Sequence, residues 1–259
     1  MVLAVDVGNT NMTIGLFEGS QLLHTWRMST QILKTSDEIG ITLCSFLENA
    51  ETKKEEVEGV VIGSVVPPMM YSLCHGIRKY LGKEPMVVSA DLKLDLVIVR
   101  DNPKTAGIDR VVDLVAAKEL YGMPAIVVDY GTANTFDVVN EKGEFITGFI
   151  TAGIKSCAAQ LYEKSSRLPQ VELVAPQTVR ATNTVDSLQI GIVAGHIGET
   201  IHIIETLKKE LHLPQAKVIA TGGLAQIMDP EGEIFDVYDP TLTLQGLRII
   251  YEKNKGMAQ

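Results

Sequence analysis

Basic side chains are few and scattered, 23 lysines and arginines against 32 aspartates and glutamates, which leaves a formal net charge of −9 on 259 residues. Without a Lys/Arg cluster, a sequence-independent grip on nucleic acid is excluded, because that grip depends on neutralising phosphates with cations. An anionic small substrate must then be met by local groups. Cys44, Cys74 and Cys157 are odd in number, far apart and without paired spacing, so neither a disulfide frame nor a zinc site is expected. Buried or indifferent thiols are the reading. No apolar run reaches the about 18 residues a membrane helix requires. The first residues enter a strand-like run with no basic segment followed by an apolar signal region, so no membrane contact and a cytoplasmic location are expected. The motifs G-x-x-x-x-G-K-S/T, G-x-G-x-x-G, H-E-x-x-H and G-x-S-x-G are all missing. His24, His75, His196, His202 and His212 fall at no ligand spacing and are read as structural or solvent-facing. No low-complexity segment or polar linker divides the chain.

What is present is a repeat. Ala4-Val5-Asp6-Val7-Gly8-Asn9-Thr10 is echoed 123 residues later by Val127-Val128-Asp129-Tyr130-Gly131-Thr132-Ala133. In both copies an apolar run ends in an acid, a glycine and small polar side chains before apolar residues resume, which reads as strand, tight turn and strand. Glu18-Gly19-Ser20 and Glu141-Lys142-Gly143 mark the next hairpin turn at the same offset. Two similar halves follow, each large enough for its own core. A turn of Asp, Gly and Thr can offer backbone N–H groups and hydroxyls to phosphate oxygens while the acid holds a neutralising cation. Two such turns facing one cleft would grip a nucleotide triphosphate from both sides.

Between the copies, Ser36 is expected to cap a helix with Asp37 and Glu38 in its first turn and Ile39, Leu43, Phe46 and Leu47 on one face. Residues 60–66 read as a buried strand stopped by Pro67-Pro68 before a helix bearing Leu73, Ile77 and Leu81. Met86-Val87-Val88 reads as a strand, and Leu94 to Thr105 as strand then loop. Ile108, Val111, Val112 and Val115 form a helical stripe. In the second half, Thr184 and Asp186 open a long helix with Ile190, Ile197, Ile201, Ile204 and Leu211 at helical spacing. Lys217 to Thr221 is a strand running into Gly222-Gly223. An N-terminal lobe of residues 1–115 and a C-terminal lobe of 116–259 are expected.

Asp6 and Asp129 stand at strand ends, where an acid serves a ligand better than packing; the alternative is that each caps its own turn. Thr221-Gly222-Gly223-Leu224-Ala225 lets backbone approach a flat ligand, or simply makes a tight strand-to-helix turn. In Asn102-Pro103-Lys104-Thr105-Ala106-Gly107-Ile108-Asp109-Arg110, Asp109 and Arg110 enter a helix within its first turn. Two readings stay open: helix-start chemistry, which suits Asp109 better than Arg110, or a base that accepts a hydroxyl proton beside a cation that pairs with an anion.

These blocks together resemble the type III pantothenate kinases of the sugar kinase, Hsp70 and actin-like superfamily. The resemblance covers nearly the whole chain and rests on Asp6 to Thr10, Asn102-Pro103 with Gly107 to Arg110, Asp129 to Thr132 with Phe136-Asp137, Leu168-Pro169, Asn183-Thr184-Val185, Thr221 to Ala225 and Leu242 to Leu247. It implies an α/β fold of two similar lobes, each an actin/Hsp70-like, ribonuclease H-like mixed sheet flanked by helices, with a nucleotide cleft between them. It implies a homodimer that phosphorylates pantothenate with ATP and Mg2+, the first committed step toward coenzyme A. By similarity, Asp6, Val7, Gly8, Asn9, Thr10, Asn11, Met12, Thr13 and Thr132 face ATP, and Gly107, Ile108, Asp109 and Arg110 bind pantothenate with Asp109 as base. Asp129 holds a monovalent cation, K+ or NH4+, Asp6 is a candidate Mg2+ ligand, and Thr184 reaches the pocket of the partner subunit. Arg100 replaces the family's usual aromatic residue at a substrate contact. Thr151-Ala152-Gly153 stands for Ala-Pro-Gly, Thr132-Ala133-Asn134-Thr135 for Thr-Ala-Thr-Thr, and Ala181-Thr182 for Gly-Arg. A related kinase of another small hydroxylated substrate and a silent nucleotide-binding regulator are the alternatives.

Overall fold

The computed structural model describes residues 1–99, 102 and 105–256. The chain forms two compact units. The first holds residues 1–96, the start of helix α3 (Ile108–Tyr121) as far as Ala116, and the chain from Thr241 onward; the second holds Ala117–Pro240 and the short strand β6 (Val97–Ile98).

In the first unit, strands β1 (Val2–Val7), β2 (Asn11–Glu18), β3 (Gln21–Ser29), β4 (Gly59–Ser64) and β5 (Met86–Val87) form one sheet in the order β3-β2-β1-β4-β5. Two tight turns make β1, β2 and β3 antiparallel, and Gly19, at φ +57, supplies the left-handed residue of the second. Helices α1 (Ser36–Asn49) and α2 (Pro67–Gly76) are the crossovers that bring β4 and β5 back parallel to β1. One sheet face buries Leu3, Val5, Val7 and Ile14 against Ile39, Leu43 and Leu47 of α1 and Leu73 of α2. The cap of α1 is Thr35, not Ser36. Glu38 stands three residues beyond Thr35, so the Glu38 N–H donates to Thr35 Oγ1 (3.3 Å) while the Thr35 N–H donates to Glu38 Oε2 (2.8 Å).

The other sheet face receives the last helix, α7 (Leu242–Asn254). Three glycines make the room: a Cβ on Gly15 would meet Leu244, one on Gly63 would meet Leu247, and one on Gly59 would meet Tyr251. Gly246 in turn lies so close to the Val112 carbonyl that α7 crosses α3 almost backbone to backbone.

The second unit repeats this plan. Strands β7 (Ala125–Tyr130), β8 (Ala133–Val139), β9 (Glu144–Ala152), β10 (Lys217–Thr221) and β11 (Val237–Tyr238) lie in the order β9-β8-β7-β10-β11, strand for strand the order of the first sheet, and β6 adds beyond β9. Antiparallel and parallel neighbours also match. One detail differs: Asp6 sits opposite Thr13, whereas Asp129 sits opposite Thr135, so the second turn is one residue shorter.

Helices α4 (Ile154–Lys164), α5 (Thr184–Glu210) and α6 (Ala225–Met228) flank this sheet. The core joins Ile126, Val128, Phe136 and Val138 to Val193, Ile204 and Leu207 of α5. The buried face of α5 runs through Ile192, Val193, His196, Thr200, Ile204 and Leu207; of the stripe that spacing suggests, Ile204 is buried and Ile197 and Leu211 pack against the core, while Ile201 is 38% exposed. Two polar residues share that face, each held by a hydrogen bond: Thr200 Oγ1 and Tyr130 Oη share one of 2.7 Å, and His196 Nδ1 lies 2.8 Å from the Ile192 carbonyl. Burial raises the Tyr130 hydroxyl and all three cysteine thiols above their ordinary pKa, which suits inert thiols. Among the described residues no helix is long and apolar enough to cross a membrane.

The tight crossing of α7 and α3 gives a direct test. Gly246→Ala places a Cβ against the Val112 carbonyl and Cγ1, and should cost about 1–3 kcal/mol of stability, read as a lower midpoint in thermal or denaturant unfolding.

Candidate active site

The first cluster forms at the carboxyl end of β1. Val5 and Val7 are fully buried and point to one side, which leaves Asp6 half-buried on the other, with Thr13 and Gly63 as its register neighbours. The turn that follows is closed by the Gly8 N–H donating to the Asn11 carbonyl at 3.0 Å, and Asn9, Thr10 and Asn11 are exposed on it. Met12, like Val7, is fully buried, so these two shape the turn from the core side and offer a ligand only backbone.

The start of α3 reaches the same strand ends. A Cβ on Gly63 would lie 3.7 Å from Ile108 Cγ2, which seats the first turn of α3 beside the residue paired with Asp6. There the Asp109 carboxylate folds back over Gly107: Asp109 Oδ1 accepts the Arg110 N–H at 2.8 Å, and a Cβ on Gly107 would stand 2.6 Å from that oxygen. Glycine at 107 leaves room for the carboxylate to fold back in this way. Arg110 is 7% exposed and Asp113, one turn on, is 3% exposed, with Thr243 of α7 donating to Asp113 Oδ1 at 2.7 Å. Gly63 and Asp113 escape reading from the sequence. The available signal for Asp113 is an acid four residues after Asp109 in an otherwise apolar helix face.

The second cluster forms at the end of β7. Asp129 pairs with Thr135 on β8 and Thr221 on β10, and Gly222 follows at φ +87. A Cβ on Gly222 would lie 2.6 Å from both Asp129 Oδ1 and the Tyr130 carbonyl, and one on Gly131 would lie 3.5 Å from Asp129 Oδ2. Gly222 thus packs directly on the Asp129 carboxylate and the Tyr130 backbone, a contact that any side chain would break. Thr132 is exposed on the turn, its carbonyl accepting a 2.8 Å hydrogen bond from Ser156 Oγ on α4. Thr184 is exposed as the first residue of α5, whose cap Asn183 accepts the Asp186 N–H at 2.9 Å. Hydrogen bonds from the Thr182 side chain and backbone hold the Asp186 carboxyl below its usual range. Arg100 lies outside the described residues. Among those described, no group of three His, Cys, Asp or Glu side chains could hold a metal ion by itself.

The shortened second turn has a further effect. Asn134 takes the register place held by Met12 in the first unit, opposite Thr151, and is 1% exposed. Its Oδ1, Thr151 Oγ1, His196 Nε2 and Glu199 Oε1 are buried atoms without a hydrogen-bond partner among the described residues.

A duplicated sheet of this order, with acid-ended central strands and glycine-bounded turns, defines the class: an actin/Hsp70-like kinase fold. A putative 2-dehydro-3-deoxygalactonokinase from Sinorhizobium meliloti has the same fold, with a TM-score of 0.61 at 10% identity over 97% of this chain and 96% of its own. The model of the type III pantothenate kinase family matches residues 2–206. Type III pantothenate kinases of Halalkalibacterium halodurans and Agathobacter rectalis are 44% and 43% identical, each over 98% of this chain and over 100% and 97% of their own lengths. The chain belongs to the type III pantothenate kinase family.

The close contact at Asp129 depends on a glycine in the left-handed region. Gly222→Ala should lose about 1–3 kcal/mol, because the substitution adds backbone strain and pushes a methyl group at Asp129. An unchanged unfolding midpoint would contradict this packing.

Proposed function

We propose that the protein phosphorylates pantothenate with ATP to give 4'-phosphopantothenate and ADP, the opening step of coenzyme A synthesis in the cytoplasm. The observation that carries this is the 44% identity to a type III pantothenate kinase across 98% of the chain. The positions of the candidate residues agree with it. Asp6, Gly8, Asn9, Thr10, Asn11 and Thr13 surround the first turn and Thr132 tops the second, and these would bind the phosphates. The nucleoside would extend along α4, where a cavity of about 560 Å³ is lined by Lys155, Ala158, Tyr162, Val171 and Leu224. From Lys155 to Tyr162 the helix rises about 10 Å, roughly the reach from phosphate to base.

Gly107, Ile108 and Arg110 would hold pantothenate, Arg110 pairing with its carboxylate, and Arg100 would add a second cation. Asp109 would take the proton of the attacking hydroxyl as that oxygen bonds to the γ-phosphorus and the bond to the ADP oxygen breaks. The Asp129 carboxylate, with the Tyr130 carbonyl near it, suits a monovalent cation such as K+ or NH4+, and the single carboxylate of Asp6 suits an Mg2+ held mainly by phosphates and water. Bound there, these cations would neutralise charge on the triphosphate. The enzyme would act as a homodimer in which Thr184, exposed at the start of α5, completes the partner's pocket.

A coupled ATPase-type assay with pantothenate, Mg2+ and K+ should show pantothenate-dependent turnover that drops when K+ is replaced by Na+; no turnover with pantothenate but turnover with another hydroxylated acceptor would transfer the reading to a related kinase, as Arg100 in place of the family's aromatic residue would allow. Asp109→Asn should lose about 10²–10⁴-fold in kcat while remaining folded, and unchanged kcat would remove Asp109 as the base.

A further inference from the structure

The two phosphate turns are each held from behind by the residues that follow the third strand of their sheet, and we propose that Thr30 in the first unit and Gly153 with Ser156 in the second are positioning residues that aim the turn N–H groups at the nucleotide phosphates. This rests on reading the turns as the phosphate sites. Thr30 comes directly after β3. Its Oγ1 donates to the Gly8 carbonyl at 2.6 Å and its N–H donates to the Thr10 carbonyl at 2.9 Å. One residue therefore draws two turn carbonyls toward β3.

The consequence follows from the planar trans peptide. The C=O of one residue and the N–H of the next point in opposite directions across the same plane. The only cis bond among the described residues is Met123–Pro124, so both turns are trans. With the Gly8 oxygen drawn toward Thr30, the N–H of Asn9 must face away from Thr30. The turn cannot rotate that peptide to hide the donor without breaking the Thr30 bond.

The second unit reaches the same result with different residues. Gly153, directly after β9, packs on the carbonyls of Gly131 and Thr132 so closely that a Cβ would lie 2.7 Å from the Gly131 oxygen and nearer still to that of Thr132. Ser156 Oγ donates to the Thr132 carbonyl at 2.8 Å. Both carbonyls are turned toward the start of α4, so the N–H groups of Thr132 and Ala133 face the opposite side. Gly153 is thus required by contact with backbone, which no neighbouring side chain could relieve. The parallel between the units gives the proposal its weight: a turn whose carbonyls are held back presents donors that need no reorganisation when an anion arrives.

The test is a set of steady-state measurements on the full-length enzyme with ATP and pantothenate varied separately, with unfolding midpoints recorded for every variant. Thr30→Val removes the hydroxyl bond and keeps the shape. It should raise KM for ATP about three- to ten-fold, the size of one lost hydrogen bond, leave KM for pantothenate unchanged, and be rescued by Thr30→Ser. Ser156→Ala should act in the same direction, and Gly153→Ala more strongly. An ATP KM unchanged in both Thr30→Val and Ser156→Ala, or changes in KM for both substrates that merely track stability, would overturn the proposal. Thr10→Ala separates the two levels. If it raises KM for ATP while Thr30→Val does not, the turn binds phosphate and the clamp is wrong; if it too leaves KM for ATP unchanged, the phosphate reading itself fails.

Discussion

An acid at the carboxyl end of a central strand is the constraint on which both halves of the molecule depend. β1 and β7 each lie between an antiparallel neighbour that returns at once through a tight turn and a parallel neighbour that arrives through a helical crossover. The chain therefore diverges at the end of each central strand, and open α/β sheets bind ligands in the crevices such divergence leaves. An acid is a poor packing residue in such a place. Asp6 and Asp129 are tolerated because each stands at the rim, half-buried, with small residues opposite: Thr13 and Gly63 for one, Thr135 and Thr221 for the other.

The rest of the architecture follows from keeping those ends accessible while burying everything behind them. Glycines do much of this. Gly15, Gly59 and Gly63 let α7 settle on the first sheet, and Gly246 lets α7 approach α3, whose first turn carries Gly107 and Asp109. In the second unit Gly153 and Gly222 bring α4 and the end of β10 against the turn. Gly246, Gly153 and Gly222 pack on backbone, while Gly15, Gly63 and Gly59 pack on the side chains of Leu244, Leu247 and Tyr251, so close main-chain contact sets the geometry at α3 and at the turn of the second unit.

Much of this was legible in the sequence, and for a physical reason. The duplicated apolar run, acid and glycine reports the central strand and its turn directly, and the Gly19 and Gly143 hairpins, both at positive φ, report the antiparallel pair. Strand-to-helix alternation then implies the parallel pair. Less legible were features that arise from contacts distant in sequence. Nothing in residues 242–254 says which sheet the last helix joins. The buried face of α5 is only partly readable because Thr200 and His196, polar by type, belong to it, held by hydrogen bonds to Tyr130 and Ile192. Thr30 and Ser156 look like ordinary polar residues until the turn carbonyls they hold are seen. The cap of α1 lies one residue before Ser36, which also qualifies by type, because only Thr35 stands three residues from its partner Glu38.

We propose that each of the two repeated turns contributes to ATP binding. Calorimetric titration of ATP with Mg2+ and K+ into Asp6→Asn and Asp129→Asn, both shown to be folded, tests it most directly. The account predicts that each substitution alone weakens ATP binding by at least about ten-fold, or about 1.4 kcal/mol. Full ATP affinity in either variant would contradict it.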